Sequence, residues 1–298
     1  MRALCVGHST FDTTLPVLEY PQENIKYRLS HHIECGGGPA SNGAYLLAKW
    51  GLDTTLASIV GNDYYGDRII EDFRSIGANC DYIEQRDDHM TTSSYIIANM
   101  SNGSRTILSS KGKPIRKLSR RVDALADVIL IDGEHPETAD EVLEHNPDAI
   151  SIIDAGRLNE DTKYLGKKVN YLVCSKDFAE EFTGMKVDIR NFNSLVMIHN
   201  KLEEYFQNQV IITLEAYGSF TKIDNQYEII PSIKVKAIDS TGAGDIFHGA
   251  FTYFIANHYS LREAIRLASI TGAISVTRVG SRNSIPMLSE VLDYDTII

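Results

Sequence analysis

Long apolar runs are missing from this 298-residue chain, and no stretch reaches the ~18 residues that cross a bilayer. Cysteine is scarce: Cys5, Cys35, Cys80 and Cys174 lie far apart with no C-x-x-C pair. That pattern offers neither a disulfide framework nor a zinc ligand set, and it fits free thiols in a reducing compartment. The 9 histidines show no H-E-x-x-H or comparable ligand spacing, so His31, His32 and His248 read as surface or packing side chains. Basic charge is in deficit, with a formal net charge of −11. A nucleic-acid partner is therefore not expected, because phosphate-backbone binding needs a basic surface. The residues after the first apolar segment contain no G-x-G-x-x-G, which argues against a nicotinamide dehydrogenase. Met1–Gly7 enters an apolar strand with no secretory leader read there, so the expected location is the cytoplasm.

What is present describes an ordinary globular chain, with 43% hydrophobic and 23% charged residues. Short apolar runs alternate with helical patterns. The expected strands are Ala3–Val6, Thr54–Val60, Val128–Asp132, Ile150–Asp154, Tyr171–Val173 and Val210–Leu214. The expected helices are Ser41–Trp50, Tyr65–Ile76, Glu137–His145, Asp177–Phe182, Leu195–Phe206, Asp245–Asn257 and Leu261–Arg278. Such alternation implies an α/β, doubly wound, mainly parallel sheet with helices on both faces. Ligands in that architecture gather at the C-terminal ends of the strands. Two segments break the rhythm. Residues 12–34 are extended and polar, and residues 92–110 read as a hairpin turning at Ser101-Asn102-Gly103. Together they are expected to form a small β lid, and exposed lid strands invite pairing with a second copy.

The most informative stretch is Asp239-Ser240-Thr241-Gly242-Ala243-Gly244-Asp245, followed by the helical run Ile246-Phe247-His248-Gly249-Ala250-Phe251. Consecutive small residues let backbone N–H groups approach an anion, and a helix start adds free N–H groups and a positive dipole end. A carboxylate at Asp245 beside that point can take a proton from an alcohol as a phosphoryl group arrives. Upstream, Gly36-Gly37-Gly38-Pro39-Ala40-Ser41-Asn42 precedes a helix and offers either a cap or a surface for hydroxyl groups. Asp12 follows the first strand, where a carboxylate suits vicinal hydroxyls or simply stabilises a turn.

These two loops resemble the signatures of the PfkB/ribokinase family of carbohydrate kinases, and the similarity extends over essentially the whole chain. The resemblance implies a single ribokinase-like domain over residues 1–298, with the lid inserted at about 12–34 and 92–110. By the resemblance Asp245 is the catalytic base, and Gly242, Ala243 and Gly244 form an anion hole. Asp12, Gly37, Gly38, Asn42 and Asp239 would contact the sugar. Thr213, Gly218 and Gly280 would border the nucleotide; apart from the resemblance, the Arg105 guanidinium suits forked binding to its phosphates or is simply a solvated hairpin arginine. Asp239, Thr241 and Ser284 match residues that hold a monovalent cation, for which potassium suits the hard oxygens. ATP with Mg²⁺ is the implied phosphoryl donor, while the exposed lid strands make a homodimer through the lid the expected assembly.

Segments similar to ketohexokinase make a ketohexose, such as fructose or a modified ketose, the expected acceptor. Ribose or a nucleoside is the alternative, from the tail Thr277–Pro286. A catalytically silent sugar-binding regulator on the same fold is the rival from another class. Departures from the family pattern stand at Ser175 and Phe178, where relatives carry the ends of an N-x-x-E motif that organises magnesium. A phosphorylated acceptor would need a cationic subsite, which Lys26, Arg28, Lys111 and Lys113 can supply, but Glu134 argues against one.

Overall fold

The computed structural model describes residues 1–297. The apolar runs form a nine-stranded sheet containing β1 (Arg2–Val6), β4 (Asp53–Gly61), β5 (Asn79–Arg86), β8 (Val128–Ile131) and β9 (Ile150–Ala155). The same sheet continues through β10 (Tyr171–Ser175), β11 (Gln209–Thr213), β12 (Ser219–Ile223) and β13 (Gln226–Ile230). Its order is β13-β12-β11-β10-β9-β8-β1-β4-β5. Pairing is parallel from β5 across to β11, and β12 and β13 close one edge antiparallel. The chain winds outward from β1 to β4 and β5, then returns on the other side at β8. The strand order therefore reverses between β1 and β8, and a ligand crevice is expected above that point. Central strands such as β8 are buried at every residue, which is why they read as unbroken apolar runs.

Nine helices cover the sheet among the described residues: α1 (Pro39–Lys49), α2 (Tyr64–Ser75), α3 (Pro136–His145), α4 (Glu160–Leu165), α5 (Lys176–Thr183), α6 (Phe192–Phe206), α7 (Ala243–Ala256), α8 (Leu261–Ser275) and α9 (Leu288–Ile297). The core over one face includes Leu46, Leu47, Phe73, Phe251 and Phe254 from α1, α2 and α7. The opposite core includes Val142, Leu165, Phe178, Leu202 and Phe206 from α3 to α6. Burying a phenylalanine of this kind stabilises the fold by about 1.5–3 kcal/mol. Helices α1 and α7 touch backbone to backbone: a Cβ on Gly249 would lie 2.9 Å from the Cα of Gly43.

A second sheet, ordered β3-β2-β6-β7, stands apart from the first. It comprises β2 (Thr10–Val17), β3 (Ile33–Gly37), β6 (Thr92–Asn99) and β7 (Ser104–Ser110). The hairpin β6–β7 matches the expected one and turns at Gly103 with φ 74°. Residues 12–34 are less uniform than their polarity suggests. Their ends pair as β2 and β3, joined by an exposed stretch over 18–32. Strands β5, β12 and β13 escaped the sequence reading because they lie at or near sheet edges, where alternation is broken by polar residues. No described helix is long and apolar enough to cross a membrane.

Candidate active site

The loop Asp239–Gly242 is tied down before α7 begins. Asp239 is buried, and its two carboxylate oxygens accept N–H groups from Thr241 at 2.9 Å and Gly280 at 2.8 Å. The loop is thus clasped to the C-terminal tail. This geometry accounts for Asp239 as a clasp with no exposed face for a sugar. Gly242 turns the chain with φ 73°, and the side chain of Ser281 packs so close that a Cβ there would lie 2.9 Å from its own Cβ. A larger residue would meet both a strained backbone and a clash. Helix α7 then starts at Ala243, two residues earlier than its apolar pattern suggests. Ala243 N–H points back to Ser240 at a long 3.4 Å, while Gly244 is exposed with open space on its Cβ side. The turn therefore presents backbone to an open approach, as an anion hole requires.

Asp245 sits in the first turn of α7, partly buried. Asn42 on α1 donates its amide to Asp245 Oδ2 at 2.8 Å. The Gly43–Gly249 contact is what brings these two helices close enough for that bond. Burial first, then the negative charge of Asp154, pushes the Asp245 carboxyl up to about 7. The Asn42 bond and the charges of His248 and Arg105 pull it back. A base with its midpoint near neutrality is well matched to taking an alcohol proton at physiological pH. The oxygen of that amide, Asn42 Oδ1, is buried without a partner among the described residues, leaving an acceptor for a ligand hydroxyl.

The lid reaches the same loop. Arg105 on β7 donates to Ser240 Oγ at 2.6 Å, and Ser240 in turn donates to the Gly103 carbonyl at 2.9 Å. On the other side, Asp12 on β2 faces β3, where a Cβ on Gly37 would lie 2.0 Å from its Oδ2. Thr10 donates to Asp12 at 2.8 Å. Burial raises the Asp12 carboxyl above its usual range, opposed by the hydrogen bonds of Thr10 and Ser94 and by the charge of Arg282. Gly38 is the N-cap of α1, and Asn42 projects from the first turn of that helix. Asp132, just past β8, accepts N–H groups from His8 at 2.8 Å, Ala40 at 3.0 Å and Glu134 at 2.9 Å. It fastens the end of β1 to the start of α1 at the strand-order reversal. Lys111 pairs with Glu134 at 2.8 Å, so its ammonium already has a carboxylate partner.

Around the other predicted positions the structure is mixed. Thr213 ends β11 and donates to the Cys174 carbonyl at 3.3 Å, while Gly218 follows a short 3₁₀ turn. Gly280 is held by Asp239. Ser284 donates to the Ser281 carbonyl at 2.7 Å, and Thr241 Oγ1 is buried without a partner among the described residues. That orphaned oxygen beside the Asp239 carboxylate fits the donor chemistry of a potassium ion. The departures at Ser175 and Phe178 have local explanations. Ser175 caps α5 by accepting the Phe178 N–H at 3.0 Å, and Phe178 is buried against Phe182 and Phe206. No cluster of three His, Cys, Asp or Glu able to hold a metal occurs among the described residues. Magnesium would here depend on nucleotide phosphates and water, as its preference for retained water allows.

Three further residues join the site without having been singled out for it. Arg282 from the tail is buried; it donates to Ser41 at 2.5 Å and lies over the rings of Phe73 and Tyr45. His248, read from the sequence as a packing or surface histidine, is buried and paired with Asp154 at 3.0 Å. One signal was legible: His248 stands three positions after Asp245 in a helix and so shares its face. Asp154 carried the same signal as Asp12, a carboxylate at a strand's C-terminal end.

Residues 2–288 match the pfkB family carbohydrate kinase model. The chain is 27% identical over 293 residues to a ribokinase of Haemophilus influenzae, covering 94% of this chain and 93% of that one. It is also 27% identical to a bifunctional ribokinase/ribose-5-phosphate isomerase A of Fructilactobacillus sanfranciscensis, of whose length it spans 56%. Its fold is shared, at TM-score 0.80 and 21% identity over 98% of this chain and 97% of that chain, with an Arabidopsis thaliana ribokinase complexed with ribose and ATP. These relatives favour the ribokinase alternative over the ketohexose acceptor expected from the lid segments. With its doubly wound sheet, its glycine turn and its coverage by the family model, the chain belongs to the pfkB family of carbohydrate kinases.

Proposed function

We propose that this sugar kinase transfers the γ-phosphoryl group of ATP to a hydroxyl of a small unphosphorylated aldose of the ribose class. The observation that carries this reading is the Asn42–Asp245 hydrogen bond of 2.8 Å beside the open turn at Gly244. Asp245 is the base, and the N–H groups of Gly242, Ala243 and Gly244 receive the charge of the transferring group. Asp12, Gly37, Gly38 and Asn42 hold the sugar. The names of the relatives support ribose as acceptor, and the Lys111–Glu134 pair speaks against a phosphate on the sugar. Mg²⁺ enters with the nucleotide and screens its phosphates. Arg105, Thr213, Gly218 and Gly280 border the nucleotide, and Asp239, Thr241 and Ser284 hold a potassium ion that orders the turn. We place the enzyme in the cytoplasm as a homodimer paired through its lid, on which Tyr95 and Leu108 are 49% and 58% exposed.

The test is coupled ADP release with Mg-ATP across aldopentoses, ketohexoses, nucleosides and sugar phosphates, with potassium and without. Turnover confined to aldopentoses is expected, increased by potassium. Turnover confined to ketohexoses would return the acceptor to that class. Silence with every acceptor, although ATP binds, would favour the sugar-binding regulator.

A further inference from the structure

Behind Asp245 lies a buried histidine–carboxylate pair that phosphoryl transfer leaves unused. Asp154 is the penultimate residue of β9, and His248 lies one turn along α7 from Asp245; the two side chains are 6% and 5% exposed. His248 Nδ1 lies 2.6 Å from the Gly244 carbonyl oxygen and 3.0 Å from Asp154 Oδ2. Nε2 faces the Val173 carbonyl on β10 at 3.2 Å. Both ring nitrogens therefore meet only acceptors, an arrangement that suits the doubly protonated ring. An uncompensated buried carboxylate at Asp154 would be costly, so its partner is expected to carry charge.

We propose that His248 is a positioning residue, held as an imidazolium by Asp154, Gly244 and Val173. It fixes the Gly244 peptide of the anion hole and cancels the Asp154 charge that would otherwise disable Asp245 as a base. The proposal rests on Asp245 being the base. Ring and loop are coupled directly, because the carbonyl that His248 holds belongs to the residue just before Asp245. The groups facing Asp245 are Asp154 from β9, His248 from its own helix, Arg105 from the lid and the neutral Asn42 from α1. Burial opposes the charged ring, but the Asp154 charge and bond, with the two carbonyls, raise His248 well above the usual histidine range. That direction agrees with the geometry.

The experiment reads the acidic limb of the kcat/KM pH profile in wild type, H248Q, D154N and the D154N/H248Q double variant, with His248 ring titration by NMR in wild type. H248Q keeps a donor and removes the charge. Its limb is expected to rise by about one pH unit, the scale set by an unpaired neighbouring charge, and the double variant is expected to restore it. In D154N the limb is expected to fall. An unmoved limb in H248Q, with kcat lowered equally at all pH, would overturn the proposal in favour of packing alone. A ring that loses its proton below pH 7 in the wild type would also overturn it, and this reading stands even where H248Q does not fold. Turnover of D245N distinguishes the two layers: near-full activity would sink the base assignment itself, whereas lost activity with an unmoved H248Q limb would sink only the role of His248.

Discussion

Asn42 and Asp245, 203 positions apart in the chain, share a hydrogen bond of 2.8 Å. Each stands in the first turn of its helix, and the two helices meet through glycine at Gly43 and Gly249. The bond joins the loop proposed to hold the acceptor to the turn proposed to stabilise the transferring group. Disturbing either helix therefore disturbs both halves of the chemistry.

Replacing Asp245 by Asn preserves shape and removes the proposed proton acceptor. We expect kcat to fall by ~10²–10⁴, the range typical of general-base catalysis, with little change in KM for ATP. Steady-state kinetics of ADP release checks this.

Gly249→Ala places a methyl group 2.9 Å from the Cα of Gly43. Overpacking of this kind costs about 1–3 kcal/mol. The expected outcome is a lower midpoint in thermal or urea unfolding, together with a loss of kcat as Asn42 moves away from Asp245. Gly249→Ala with wild-type stability would mean that the helices separate freely.

Burial pushes the Asp132 carboxyl up to about 7 from its ordinary 3.8. The folded protein then holds this proton more tightly than the unfolded chain, so this group favours the folded state at low pH. Its contribution is lost as pH rises from about 4 through 7. Asp132→Asn is expected to flatten that part of the stability curve, measured by urea unfolding at a series of pH values.

Arg105 links the lid to Ser240 and adds positive charge near Asp245. Arg105→Ala is expected to lower kcat/KM about tenfold, equivalent to about 1.4 kcal/mol of lost transition-state binding. The loss should be larger at low salt, because the lost charge is exposed and screened by ions.

Leu108 on β7 is 58% exposed on a lid strand. Leu108→Glu is expected to convert a homodimer into a monomer of 33.2 kDa, as read by sedimentation. An unchanged mass at twice that value would place the interface elsewhere.

Much of the fold was legible because its signals are local. The central strands announce themselves as apolar runs, and the hairpin by Asn102-Gly103. The turn Gly242–Gly244 declares its chemistry through small residues beside two carboxylates. Helix starts were misjudged by two residues at both Pro39 and Ala243. There the first turn is made of small or constrained residues that carry no apolar period. Edge strands were missed for the related reason that a half-exposed strand has no strong pattern to show.

By itself the sequence determined the layered α/β architecture, the family and the residue types able to do phosphoryl transfer. These follow from hydrophobic period and turn chemistry within a few dozen residues. Only the tertiary structure decided what those residues touch. Asp239, readable as a sugar contact, is spent on the N–H groups of Thr241 and Gly280. His248, readable as packing, meets Asp154 from 94 positions away. The physical reason is range: period and propensity act between neighbours along the chain, whereas hydrogen bonds and buried charge act between whatever the fold brings within 3 Å.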